Sequence, residues 1–97
     1  MQFKRIDNFR FTDRNKAGGD AVFDCEGVER KAEFVFYLQG IYCLSIKLGR
    51  HDKAMVTSEL EEYIRKNMTE LKKMVNPDVE RIRKERRAIL YGESEGE

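Results

Sequence analysis

Residues 28–48, VERKAEFVFYLQGIYCLSIKL, decide the fold of this chain. Two strand-like runs, rich in β-branched and aromatic residues, flank the turn signal Gln39-Gly40. A two-residue turn at that dipeptide would pair Leu38 with Ile41, and each later pair would lie one residue further from the turn on both strands. The stretch therefore predicts a β-hairpin near the middle of the sequence.

Both faces of the predicted hairpin are apolar near the turn. In this register one face holds Phe34, Phe36, Leu38, Ile41 and Cys43, and the other holds Val35, Tyr37, Tyr42, Leu44, Ile46 and Leu48. A sheet with helices on one side should be polar on the other side. The second face therefore needs its own cover, either a curled N-terminal strand or a second copy of the chain. The candidate interface residues are Val35, Tyr37, Tyr42, Leu44, Phe36 and Ile41.

A first strand is indicated by residues 2–12, QFKRIDNFRFT. Phe9 and Phe11 alternate with polar residues, as expected for a strand with one buried face. Phe3 and Ile6 precede them with a less regular spacing. We expect the four apolar side chains to contribute to one face of the sheet.

A second strand is indicated by residues 21–25, AVFDC, which end at the turn signal Glu26-Gly27. The glycine-bearing segment 14–20, RNKAGGD, is predicted as a loop before it. With the central hairpin, the sequence thus predicts four strands joined by short turns, which is an antiparallel β-meander.

The apolar pattern becomes helical after Leu48. Ser58 and Glu61 have the spacing of a capping box at a helix start, and Asp52 is an earlier alternative cap. The polar Asn67 interrupts the apolar stripe, and we expect it at the rim of the core. The stripe consists of Val56, Leu60, Tyr63, Ile64, Leu71, Met74 and Val75.

The dipeptide Asn76-Pro77 is predicted to end this helix and to start the next one. The second helix is expected to reach about Tyr91 and to stop at Gly92. The fold class is thus α+β: a four-stranded antiparallel meander followed by two C-terminal α-helices joined at a sharp corner. Residues 1–92 are predicted to form one domain and residues 93–97 a disordered acidic tail.

The composition excludes several classes of function. The chain has 97 residues, of which 38% are charged, with a formal net charge of only +1. Overall charge therefore predicts no strong attraction to nucleic acid or to an anionic membrane. The longest uncharged run, residues 34–46, is too short to span a bilayer as a helix. Cys25 and Cys43 are too few for a disulfide framework. We expect a cytoplasmic protein with no membrane partner.

Basic residues concentrate in two segments. Residues 76–92 carry five basic and three acidic side chains, with Arg81, Arg83, Lys84 and Arg87 on the flank and back of the predicted helix. Near the N-terminus, Lys4, Arg5 and Arg10 alternate with phenylalanines. A solvated helix face with internal ion pairs is the favoured interpretation. Binding of nucleic acid or of an acidic protein by these seven residues is the alternative.

The sequence contains no catalytic signature. His51 adjoins Asp52, but no nucleophile is tied to this pair. One histidine and two distant cysteines match no zinc spacing, and the glycine pair of KAGGD lacks the other residues of a phosphate loop. We therefore predict no catalytic residue, metal or cofactor. The predicted function is a small non-enzymatic binding, adaptor or regulatory module that interacts with proteins, with a homodimer as the expected form, and nucleic-acid binding is the alternative.

Overall fold

A computed structural model describes the backbone of residues 1–91 and the side chains of residues 1–87. The predicted stop at Gly92 and the predicted acidic tail lie outside the described residues. Four antiparallel strands lie side by side in sequence order and two helices follow them, so the predicted α+β class is confirmed. The elements are β1 (Gln2–Asp13), β2 (Lys16–Cys25), β3 (Val28–Gln39), β4 (Tyr42–His51), α1 (Thr57–Lys66) and α2 (Met68–Tyr91).

Both helices pack on one face of the sheet, called the core face here. Its buried side chains include Phe23, Phe34 and Phe36 from the sheet, with Leu60 from α1 and Leu71, Val75 and Val79 from α2. The opposite face, called the free face, carries the alternate residues of each strand. Among the described residues, those on the free face include Arg5, Asp7, Arg10, Lys16, Asp20, Glu33, Val35, Tyr37, Tyr42, Ser45 and Lys47.

Two irregularities in β1 explain the uneven apolar spacing of that strand. The register with β2 shifts between Phe3 and Arg5 and again between Asp7 and Arg10, where Asn8 adopts a left-handed φ of 57°. A bulge inserts one extra residue and so changes which side chains face inward. As a result Phe3, Ile6, Phe9 and Phe11 all pack against the core.

The predicted loop at residues 14–20 is wrong. Only Arg14 and Asn15 form the turn, and Gly18 and Gly19 are buried inside β2. A Cβ atom on Gly19 would lie 2.7 Å from the Cγ2 methyl of Ile6. Glycine is present here because neighbouring strands approach closely. In the sequence, such a glycine looks the same as a glycine in a loop.

The predicted register of the central hairpin is also wrong. The turn consists of Gly40 and Ile41, so that Gln39 pairs with Tyr42, and Gly40 has the positive φ of 60° that a tight hairpin turn requires at its first position. A register shift at Leu44 follows. The bulge turns Ile46 and Leu48 onto the core face, where Phe36 pairs with Ile46 and Phe34 with Leu48. The free face of the hairpin is therefore less apolar than predicted.

The capping box predicted at Ser58 does not form. The N-cap of α1 is Val56, whose carbonyl accepts the N–H groups of Glu59 and Leu60, and no side chain caps this end. The carboxylate of Asp52 accepts the N–H of Ala54 at 2.8 Å instead, and so it stabilises the turn that precedes the helix.

The helix boundary lies at Asn67 and not at Asn76-Pro77. The single residue Asn67 separates α1 from α2, and α2 continues through Pro77. The side chain of Asn76 accepts the N–H of Cys43 at 2.9 Å, which ties α2 to β4. Since Val75 and Val79 are fully buried on either side of the proline, core packing outweighs the local preference of proline for a helix start.

We predict that Gly19→Ala lowers the free energy of unfolding by about 1–3 kcal/mol, because the stiff Ile6 side chain cannot move aside cheaply. Gly18→Ala is the matched control, since its Cβ would meet only the flexible end of Arg10 at 3.4 Å. Urea unfolding of both variants measures the difference. Equal stability of the two variants would contradict the close approach at Gly19.

Candidate interaction surfaces

An exposed apolar patch lies on the free face beside the β3–β4 turn. Tyr42 and Leu44 are 61% and 52% exposed, and Tyr37 and Ile41 are each 37% exposed. Val35 is half-buried beside them. These five residues are called the tyrosine patch. All five are among the predicted interface residues, whereas the sixth, Phe36, is fully buried on the core face and contacts Phe9.

The rim of the tyrosine patch carries charges of both signs. Lys16 lies 6.0 Å from the centre of the Tyr37 ring, and Lys47 pairs with Val35 in the sheet register. An open cleft of about 300 Å³ adjoins Val35 and contains the carboxylates of Asp13 and Glu33. The patch is thus an apolar centre with a mixed-charge border.

The N-terminal basic candidates are occupied by carboxylates. Arg5 forms ion pairs with Asp7 at 3.0 Å and with Glu29 at 3.3 Å, and Lys4 lies 3.3 Å from Glu29. Hydrogen bonds from Arg5, followed by those from Lys4, lower the pKa of Glu29. On the same free face of the sheet, Arg10 forms an ion pair with Glu33 at 3.4 Å. These exposed cations are neutralised locally.

Two of the four helical candidates are paired in the same way. Arg81 lies 3.5 Å from both Asp78 and Glu85, and Lys84 lies 3.0 Å from Glu80. These pairs have the i, i+3 and i, i+4 spacing of neighbouring side chains on a helix surface. Arg87 is exposed on the same helix.

Arg83 has a different environment from the other candidates. Its Nε donates to the carbonyl of Gly40, and its Nη2 donates to the carbonyl of Arg14 at 3.1 Å and to Oδ1 of Asn15 at 3.2 Å. Its guanidinium carbon lies 5.2 Å from the centre of the Phe11 ring. One side chain thus joins α2 to the β1–β2 turn, the β3–β4 turn and the end of β1.

Lys4 and Arg5 do not form one surface with Arg83. Lys4 and Arg5 share Glu29, which follows the β2–β3 turn. Arg83 binds the other two turns. In an antiparallel meander, the β2–β3 turn lies at the opposite end of the sheet from the β1–β2 and β3–β4 turns.

The ring of His51 is used in the connection between β4 and α1. Its Nδ1 lies 2.9 Å from the carbonyl oxygen of Asp52, and its Nε2 lies 2.8 Å from the hydroxyl of Thr57. A carbonyl can only accept, so Nδ1 carries a proton and donates to Asp52, while Nε2 shares the second hydrogen bond with the Thr57 hydroxyl. The Asp52 carboxylate binds the N–H of Ala54 and the Arg30 guanidinium, which together lower its pKa. The hydrogen bonds of the His51 and Asp52 side chains therefore go to other groups and not to each other.

A second open cleft, of about 310 Å³, lies between the β2–β3 turn and the start of α1, and it contains Cys25 and Arg30. Neither cleft is lined by His51. Within the described residues, no three His, Cys, Asp or Glu side chains are close enough to hold a metal ion. No helix of that part of the chain is long and apolar enough to cross a membrane.

No protein-family model, curated protein or solved structure matches this chain. The functional argument therefore rests on the geometry and charge of the surfaces described above. Sequence patterns placed four residues of the tyrosine patch on one face of the hairpin, together with Ile46 and Leu48, but they placed Ile41 on the opposite face. They did not indicate the turn-binding role of Arg83, because its partners are backbone carbonyls distant in sequence.

We predict that Arg83→Ala and Arg83→Lys each lower the free energy of unfolding by about 1–2 kcal/mol, because a lysine keeps the charge but cannot reach both turns as a guanidinium does. Arg87→Ala, one helical turn later, should change it by less than about 0.5 kcal/mol. Chemical denaturation distinguishes these values. A stable Arg83→Ala variant would show that its hydrogen bonds contribute little.

We predict that a thiol reagent modifies Cys25 at least ~10-fold faster than Cys43, since the thiolate is the reactive form. Cys43 is 5% exposed and burial raises its pKa, so fewer of its thiols are ionised at a given pH, whereas Cys25 is half-exposed in its cleft. Cys25→Ser and Cys43→Ser variants assign the two rates. Equal rates in the native protein would contradict this placement.

Proposed function

We propose that this protein is a non-enzymatic binding module that contacts another protein through the tyrosine patch, and that its partner is a second copy of the same chain. The observation that carries the proposal is the exposure of Tyr42 and Leu44, at 61% and 52%, next to Tyr37 on a sheet face whose other side chains are largely charged.

A protein partner suits the chemistry of this patch. Tyrosine is enriched at the centres of protein interfaces, because its ring buries a large apolar area while its hydroxyl keeps a polar partner. The bulge at Leu44 places an aliphatic side chain beside the two tyrosines. Contiguous exposed apolar side chains are a common mark of an interaction site.

A second copy suits the charges at the rim. In a two-fold dimer the same surface meets itself, so it must offer both signs of charge to avoid repulsion. Lys16 and Lys47 supply positive charge beside the patch, and Asp13 supplies negative charge in the adjoining cleft. A dimer can therefore set lysines of one copy against the Asp13 carboxylate of the other.

A structural role for His51 and Asp52 supports a function without catalysis. Both ring nitrogens and the carboxylate already have hydrogen-bonding partners in the β4–α1 connection. The two cysteines are free thiols, which favours the reducing environment of the cytoplasm as the place of action.

Nucleic-acid binding by the seven basic candidates has less support. Lys4, Arg5, Arg10, Arg81 and Lys84 all pair with carboxylates, and Arg83 binds backbone carbonyls. A phosphate would have to displace these partners, which reduces the gain from each contact. Of the seven, Arg87 alone has no such partner within the described residues.

We predict a concentration-dependent dimer in sedimentation velocity and a ~10-fold or greater weakening of that dimer by Leu44→Glu, because the substitution brings a charge into an apolar contact. Val28→Glu is the matched control: Val28 is 49% exposed but lies at the β2–β3 turn, away from the patch. It should leave the dimer unchanged.

A monomer at the highest soluble concentration would overturn the homodimer. Equal weakening by Leu44→Glu and Val28→Glu would show that the tyrosine patch is not the interface. Circular dichroism of each variant separates loss of association from loss of folding.

A further inference from the structure

A cluster of arginines lies where α2 meets the β1–β2 turn. The guanidinium carbons of Arg83 and Arg86 lie 5.2 and 4.7 Å from the centre of the same Phe11 ring. The Arg83 guanidinium also binds the carbonyl of Arg14, and Arg87 follows Arg83 by one helical turn. Arg14, Arg83, Arg86 and Arg87 are called the arginine tip.

The arginine tip has no carboxylate partner within the described residues. The acidic side chains nearest to the tip in α2, Asp78, Glu80 and Glu85, pair with Arg81 and Lys84. Asp13 adjoins the tip in sequence, but its carboxylate accepts the backbone N–H of Arg14. Two guanidinium groups on one ring repel each other, and a bound anion would relieve this repulsion.

We propose that the arginine tip binds the phosphate groups of a nucleic acid backbone. Guanidinium groups match phosphate oxygens with paired hydrogen bonds and remain charged at any physiological pH. Contact with Phe11 holds Arg86 in place before the ligand arrives, as the turn carbonyls hold Arg83. Arg14, Arg86 and Arg87 are exposed. In the complex their guanidinium groups donate hydrogen bonds directly to the phosphates.

A nucleic acid suits this surface better than an acidic protein does. Protein interfaces depend on apolar anchors that fill pockets, and the one aromatic ring of the tip is in contact with two guanidiniums. The tip therefore offers charge without an apolar anchor, which is the character of contacts to a phosphate backbone. Such binding has no sequence preference and uses none of the five residues of the tyrosine patch.

The test is fluorescence anisotropy of labelled single-stranded and duplex oligonucleotides with the full chain, titrated with salt. The double variant Arg86→Gln/Arg87→Gln should lose about 10-fold or more in affinity at low salt, and the slope of log affinity against log salt should become shallower by about two. The control Arg81→Gln/Lys84→Gln removes the same charge from the same helix at paired positions and should stay within about threefold of the unmodified protein.

Two results would overturn the proposal: no binding at low salt, or equal losses in the two double variants, which would indicate a response to net charge alone. Polyglutamate that competes as well as an unlabelled oligonucleotide, at equal charge, would assign the tip to an acidic protein instead. Arg14→Gln, on the β1–β2 turn, is a second variant that leaves α2 intact, and it should weaken binding in the same direction as Arg86→Gln/Arg87→Gln.

Discussion

Tyr63 of α1 packs between Phe3 of β1 and Phe23 of β2, with ring centroids 5.7 and 5.2 Å apart. This contact extends the helical layer across the core face to the strands furthest from β4. Once the core face is covered, the alternation of side chains along each strand leaves the other face to solvent. The tyrosine patch is exposed because it lies on that other face, close to the turn.

The two ends of the sheet differ in their electrostatic character. At the β2–β3 end, Lys4 and Arg5 pair with Glu29 and Asp7, and the two positive charges are cancelled by two negative ones. At the opposite end, Arg83 donates its hydrogen bonds to neutral carbonyls, and Arg86 lies over the Phe11 ring. Among the described residues, no carboxylate cancels the charge of either arginine. A nearly neutral chain can in this way carry a local basic surface, which a net charge of +1 conceals.

The errors in the sequence-based expectations have a common physical cause. Each error follows from a local preference: that of Gly18-Gly19 for a loop, that of Ser58 for a helix cap, and that of Asn76-Pro77 for a helix boundary. Each preference is worth about 1 kcal/mol, or about 3 kcal/mol for proline within a helix, and packing of neighbouring elements can exceed these values. Gly19 is required by Ile6, and Pro77 is held within α2 between the buried Val75 and Val79.

The amino-acid sequence by itself determined the element types, their order and the antiparallel meander, because periods of two and 3.6 residues report directly on which side chains are buried. It also indicated most of the tyrosine patch. Only the tertiary structure decided the hairpin register, the position of the helix junction and the grouping of charges. Those features depend on single-residue bulges and on contacts such as Arg83 with Gly40, between residues 43 apart in the chain, which no local pattern encodes.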